Sequence, residues 1–582
     1  MERQYIGARY VPKFFDNNGS NAWVANYSYE PLTIVTYNNN SYISKIPVPA
    51  TVGSPVDNPK YWIVSSNISA QLNEEIQARL NYIVYTPSDL VESDNNIGLK
   101  TGIYNVAKNM KIEHQIVIPE GAVINVNSGV TIEFTGEITA GRYQIFSGDG
   151  NVKISKGKVF PEWFGAKNDG VHDDYNAINK AVKSAGWNCL VSLNSGTQGS
   201  TGSVWKPSNK CYYISQPVVI TDAWLSIGCE CGYASIFSAE STALTFAGSV
   251  ESRNEHCRLF NVILTSGNPN NSFFTDIDDG DQYLLKILYQ EAMNIENIRL
   301  NGNPCGIYYQ GNVGMRTENV RQTIAIYNYN YGCGYRLNCS PRNWSCYFIE
   351  CAYGAGTSKK NCTGICITGS DTSDLFFTNC EINSCDKAIQ YVSNEGGTGI
   401  DVRFSDCTFD SIRNYLCDFI LNKAGGNIRF DTCYFQINDS HSTDGAVFVR
   451  NGNNSSVHFV NCWFSDSDIE NYTIRFAGAD NLLTLVGNTF ARGLYYVYQG
   501  RGACTIASNV FRNESATNAK PFIVYNDDKG ASISGNIFDG GTTGVTTAIQ
   551  FDDGTTKSAS VGNVFLNVTN KYNSAPQIAQ DA

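Results

Sequence analysis

No cysteine occurs before Cys189, no run of apolar residues approaches the roughly eighteen needed for a membrane helix, and the chain as a whole has no basic excess. Each absence closes off a class of function. A net charge of −12 argues against a nucleic-acid binder, which needs a basic face to neutralise phosphates. The start, Met1-Glu2-Arg3-Gln4-Tyr5, has no basic segment followed by an apolar one, so synthesis in a cytosol without membrane insertion is expected. Charged residues make up 16% of the chain, against a usual quarter or so. Histidines number only 5, and neither His172 nor His441 stands near a nucleophile elbow, so Ser/His/Asp chemistry is poorly supported. The 19 cysteines form no pair of CxxC knuckles; Cys229-Glu230-Cys231 and Cys362-x-x-x-Cys366 come nearest. Reduced, buried thiols acting as small apolar residues are therefore expected, with no metal and no cofactor.

Asn, Ser, Thr, Gly and Tyr fill the space that charge leaves, and they suit turns and strands. Residues 1–65 are rich in aromatics and prolines. Thr33–Tyr37 and Ser41–Lys45 alternate around an Asn-rich turn and predict a β-hairpin in a small β-module. In residues 66–85, Ile68, Leu72, Ile76, Leu80 and Ile83 form one apolar stripe, which predicts a helix that either joins a three-stranded bundle or packs on the adjacent module. Residues 86–160 alternate short apolar strands with Gly turns and predict a β-rich lead-in and cap.

The run Tyr-Glu-Pro-Leu-Thr-Ile-Val-Thr-Tyr (29–37), with Ser41-Tyr42-Ile43-Ser44-Lys45 and Tyr61-Trp62, resembles the N-terminal module of phage head fibres and tail appendages. That module is in turn similar to small carbohydrate-binding modules, and the resemblance implies virion attachment through a tail, collar or capsid protein. Tyr37, Tyr42, Tyr61 and Trp62 would there contact sugar or simply form a mini-core. Further on, Phe164-Gly165-Ala166…Asp169-Gly170…Asp173-Asp174-Tyr175…Ala177-Ile178 resembles the signature that opens the pectate-lyase-like right-handed parallel β-helix of phage tailspikes and related glycan-active enzymes. Tyr175 replaces the usual Thr. Asp173 and Asp174 stand where a helix N-cap belongs, and Ala177, Ile178, Ala181, Val182 and Ala185 make the apolar face of a helix that would cap a solenoid end. Asp169, Asp173 and Asp174 are accordingly read as structural.

The β-helix is expected over residues 161–566, and the C-terminal half of the chain repeats itself. Phe377-Thr378-Asn379-Cys380-Glu381-Ile382 returns around Cys407, Cys433 and Cys462, and then with Asn in place of Cys around Asn488, Asn509, Asn536 and Asn563. The steps are 27, 26, 29, 26, 21, 27 and 27 residues. A period in the twenties with short strands predicts a parallel β-helix whose coils bury their faces only against neighbours. The Cys or Asn is placed at a tight left-handed turn, and the flanking aromatics point inward as stacked columns. The residues 567–582 form a polar tail, without the large assembly domain that many tailspikes carry there.

The residue after each turn should face outward: Glu381, Thr408, Tyr434, Trp463. With coils about 4.8 Å apart, Tyr434 and Trp463 would adjoin, either as a sugar-binding shelf or as part of a trimer interface. Glycoside hydrolysis uses two carboxyl groups about 5–5.5 Å apart for retention and about 6.5–9.5 Å apart for inversion. The candidate catalytic residues are Glu381 with Asp410, and Glu350 with Asp406, while Asp401 and Asp431 flank the region. The resemblances imply a homotrimeric virion spike or fibre that meets host surface polysaccharide or teichoic acid and depolymerises it by hydrolase or lyase chemistry. A non-catalytic glycan adhesin and a structural head fibre are the alternatives.

Overall fold

The computed structural model describes residues 13–14, 20–64, 82–198, 206–267 and 280–574, less short stretches inside those ranges. Strands dominate, and nearly all pair in parallel. The exception is the N-terminal module, where Thr33–Tyr37 and Asn40–Ser44 form the expected antiparallel hairpin, extended by Trp62–Val64. Tyr29, Val35, Tyr42, Val48 and Trp62 are its buried core, with Tyr37 and Tyr61 packed against them. Those aromatics serve as a mini-core. Of the expected helical stripe, residues 66–81 lie outside the described residues. Ile83 is in a strand instead, Tyr82–Tyr85, paired in parallel with Asn96–Leu99.

Residues 96–159 already wind as parallel coils: Gly102–Val106, Ala122–Val126 and Phe146–Ser147 stack in register. One hydrophobic core then runs without a break from Leu90 to Phe551. The predicted helix forms at Tyr175–Ser184 and buries Ala177, Ile178, Ala181 and Val182. It lies within this continuous stack rather than over an open end. The acidic trio is structural, with roles that differ from simple capping. Asp173 accepts the Tyr175 N–H at 3.0 Å and the Ser215 hydroxyl at 2.6 Å. Asp174 instead reaches back to the Lys167 and Asn168 N–H groups at 2.7 and 3.0 Å. Burial pushes its carboxyl up to about 6. N–H groups of His172 and Val171 hold Asp169 down to about 2.

From residue 346 onward each coil has three faces. Face A holds Cys346–Ile349, Ser373–Thr378, Ile400–Ser405, Asn427–Asp431 and Ser456–Val460. Face B follows with Ala352–Gly354, Glu381–Asn383, Thr408–Ile412, Tyr434–Ile437 and Trp463–Asp466, and face C begins with Cys362–Gly369 and Lys387–Ser393. The A-to-B corner is a left-handed residue, with φ of 53° at Asn379, 55° at Asp406, 56° at Thr432 and 54° at Asn461. It stands one position before the expected Cys or Asn. Gly487, Ser508 and Gly535 continue the column. Asn, Asp and Gly suit that region because local hydrogen bonds or a missing Cβ relieve the clash.

The Cys or Asn that follows points inward. Asn509 uses all of its polar capacity there. Its Nδ2 donates to Leu485 O at 2.9 Å in the preceding coil and to Asn536 Oδ1 at 3.0 Å in the next. Its Oδ1 accepts from Asn488 N at 2.8 Å and from Asn488 Nδ2 at 2.9 Å. Cysteine takes the same slot with one bond of the set: Cys407 and Cys433 point their thiols at Phe377 O and Phe404 O, at 3.5 and 3.6 Å. The two residue types interchange because each can donate to the carbonyl three residues before its counterpart on the preceding coil. Beside the ladder run two aromatic stacks. Phe348, Phe377, Phe404, Phe430 and Phe459 follow at centroid spacings of 4.5–4.8 Å. Phe409, Phe435, Phe464, Phe490, Phe511 and Phe538 follow at 4.6–5.1 Å. The winding continues past the expected boundary at 566, since Val568–Tyr572 pairs with Val545–Phe551.

Replacing Asn509 by Ala leaves buried donors and acceptors on both neighbouring coils unpaired and is expected to cost about 2–4 kcal/mol. Replacing it by Cys, which retains the donation to Leu485 O, is expected to cost about half as much. Urea unfolding of the two variants checks this, and equal losses would contradict the ladder account.

Candidate functional site

Because every strand of faces A and B is in register with the next, outward side chains form a grid. Neighbours on successive coils stand about 4.8 Å apart and neighbours along a strand about 6.7 Å. The most carboxylate-rich part of this grid spans the coils that begin at Cys346, Ser373, Ile400, Asn427 and Ser456.

The residues expected after the corner are in one column, with Glu381, Thr408, Tyr434 and Trp463 paired in sequence. Glu381 is exposed and holds the Asn383 Nδ2 at 2.7 Å. Tyr434 is half-buried and donates to Gln436 Oε1 at 2.8 Å. Trp463 is 48% exposed. Asp410 pairs with Asn383, so it lies diagonal to Glu381 at a backbone separation on the order of 8 Å. Glu350 and Asp406 are exposed corner residues with Asn379 between them, about 10 Å apart along the axis. Both have the left-handed backbone of that column, at φ 54° and 55°, so the corner itself accounts for their positions.

Face A carries a second group that the repeat did not reveal. Asp374 and Asp401 are register neighbours, one coil apart. Trp344, 43% exposed, donates its indole N–H to Asp374 Oδ2 at 2.6 Å. Phe376, two residues on from Asp374 along its strand, stacks outside the core on its register neighbour Tyr347 of the preceding coil at 4.9 Å and 12°. Arg403 lies over the Phe376 ring at 5.5 Å, and Arg342 over the Trp344 ring at 5.1 Å. The Asp401 carboxyl is held above its ordinary range, first by partial burial and then by the Asp374 charge, against opposition from Arg403 and the Asn427 N–H. Two carboxyl groups with one biased toward its proton are the elements of general acid catalysis. Asp401 was visible in the sequence only as a flanking acid. Asp374 was not singled out, because the signal is a pair of outward positions four residues before each Thr378 and Ser405, and this appears only once the register is known.

Several other carboxylates of the coils are committed to cations or buried hydroxyls. Asp418, fully buried, accepts Lys387 Nζ at 2.7 Å and Arg450 Nη2 at 2.8 Å. Glu162 binds Arg142 at 3.1 Å and the Tyr212 hydroxyl at 2.6 Å, and Asp431 binds Arg429 at 3.1 Å. Among the described residues no group of three or more His, Cys, Asp or Glu is arranged to hold a metal ion, and no helix is long and apolar enough to cross a membrane.

No family model and no curated protein matches the sequence. Solved structures with some similarity to the chain include the following. Tailspike protein 3 of bacteriophage CBA120 is similar over 95% of this chain and 78% of its own, at 12% identity and a TM-score of 0.41. The ORF18 protein of Geobacillus virus E2 is similar over 71% of this chain and 60% of its own, at 14% identity and a TM-score of 0.28. The A-module of a mannuronan C-5 epimerase from Azotobacter vinelandii is similar over 73% of this chain and 99% of its own, at 15% identity and a TM-score of 0.33.

Asp374→Asn removes the like charge beside Asp401, so the Asp401 carboxyl is expected to titrate at lower pH in the variant than in the wild type. Carboxyl-labelled aspartate NMR across the acidic pH range checks this. An unchanged Asp401 titration would show that the two carboxylates do not interact.

Proposed function

We propose that the chain is a phage virion spike or fibre whose β-helix presents faces A and B to a host surface polysaccharide and cleaves it. The observation that carries this reading is the coincidence, on one outward grid, of exposed aromatics with carboxylates that form no ion pair among the described residues. Flat rings at Trp344, Tyr347, Tyr434 and Trp463 offer apolar surfaces to sugar faces. Asp374 and Asp401 stand at the one-coil spacing, close to the separation that suits retention of configuration. Within that pair Asp401, whose carboxyl is held above its ordinary range, is the acid, and Asp374, which accepts the Trp344 indole N–H, is its partner. Glu381 with Asp410 stands at a spacing that suits inversion. The N-terminal module, by its resemblance, attaches the spike to a tail, collar or capsid protein, and the assembly is a homotrimer.

The adhesin reading keeps the aromatic shelves and discards the carboxylate chemistry. Chromatographic sizing of purified host polysaccharide after incubation separates the readings. Shortened chains are expected, with turnover falling roughly 10²–10⁴-fold in Asp401→Asn and Asp374→Asn. Early products that keep the anomeric configuration support the face A pair, whereas inverted products lost in Glu381→Gln or Asp410→Asn assign the chemistry to face B. Binding of intact polymer without cleavage by any variant or by the wild type makes the protein an adhesin.

A further inference from the structure

Cations on face A, and on the strands Arg258–Ser266 and Arg316–Thr323 that stack in register before it, are generally neutralised by a carboxylate close by. Arg258 bonds Glu296 at 2.9 Å, Arg316 bonds Glu318 at 2.9 Å, and Arg429 bonds Asp431 at 3.1 Å. The pattern breaks at Arg403. The residue two positions on, which is the carboxylate in the Arg316 and Arg429 strands, is here Ser405. Arg403 is exposed, and among the described residues no carboxylate lies within ion-pair distance of it. The nearest acidic influence is the longer-range one it exerts on Asp401. Its guanidinium is seated on Phe376 instead. Arg342 repeats the arrangement on Trp344, also exposed and also without a carboxylate within ion-pair distance among the described residues.

An arginine laid on an aromatic ring loses conformational freedom before it meets a ligand, and its planar fork matches carboxylate and phosphate oxygens. Two such groups bracket the Asp374–Asp401 pair, two coils or about 10 Å apart along the axis. In a chain with a net charge of −12, a ligand that brings its own negative charge to two carboxylates needs local cations to be retained. A neutral glycan needs none, and the exposed guanidiniums would then stand idle.

Resting on the glycan reading above, we propose that this face selects an anionic polysaccharide, and that Arg403 and Arg342 bind the carboxylate or phosphate substituents of residues on either side of the cleaved linkage. The test is equilibrium binding of host polysaccharide in three forms: native, carboxyl-reduced, and dephosphorylated with hydrofluoric acid. Each is titrated against the wild type, Arg403→Gln and Arg342→Gln at low and moderate salt. The wild type is expected to bind one of the neutralised forms roughly ten- to hundredfold more weakly, the range of one charge-assisted contact. Which form loses affinity identifies the substituent. Arg403→Gln is expected to lose a similar factor with native polymer and nothing further with the neutralised one. Native and neutralised polymers bound equally by the wild type would overturn anion selection and leave the glycan reading standing. Binding of none of the three forms would overturn both. An arginine variant whose loss persists unchanged on the neutralised polymer would overturn the direct contact and assign the residue to packing.

Discussion

The rest of the structure depends on the corner between faces A and B. A left-handed residue turns the chain there, and the next residue points its donor inward to a carbonyl of the coil before. Asparagine extends that contact to both neighbours, so Asn488, Asn509, Asn536 and Asn563 lock four coils together. Thiols hold the same place from Cys380 to Cys433 with weaker, longer contacts, and Cys462 turns its thiol to Val460 O, two residues before it. The ladder fixes register, because a slip of one residue would bring an outward side chain into the core and unpair the buried amides. The stacked phenylalanines on either side add directional packing, about 0.5–1.5 kcal/mol per pair beyond area burial.

Register is also what makes a surface of this kind chemically capable. Each coil contributes one or two outward side chains, none of which does anything alone. Stacking brings Asp374 against Asp401, Tyr347 against Phe376, and Tyr434 against Trp463. Partial burial and the like charge of Asp374 then bias Asp401 toward its protonated form. Carboxylates on the same solenoid that meet Lys or Arg, such as Asp418 and Asp431, are removed from consideration by the same geometry.

The solenoid was legible in the sequence because its period is written in large residues: inward Phe and the Cys or Asn ladder recur at nearly constant steps. The hairpin of the N-terminal module was equally plain from alternation around the Asn-rich turn. The left-handed residue was misplaced by one position. Asn occurs both as a ladder residue and, at Asn379 and Asn461, as a corner residue, and residue type alone does not separate the two. The described coils in 96–159 carry no inward Cys or Asn ladder, their Asn105–Asn125 side-chain bond lying outside the core, so their winding reads only as short strands with Gly turns. The outward column after the corner was readable because it is tied to the repeat. Face A lies before it, reached through segments of varying length, and its Asp374–Asp401 pairing depends on alignment that the sequence does not display.

Oxidative footprinting of the tryptophans, read by mass spectrometry with and without host polysaccharide, tests most directly that faces A and B are where the ligand lies. Trp463 is exposed on face B and Trp344 beside face A, where it bonds Asp374, and Trp187, 68% exposed after the lone described α-helix, is a control on the same chain. Protection of Trp344 and Trp463 with Trp187 still reactive is the predicted result. Unchanged reactivity at Trp344 and Trp463 while the polymer is demonstrably bound would contradict the account.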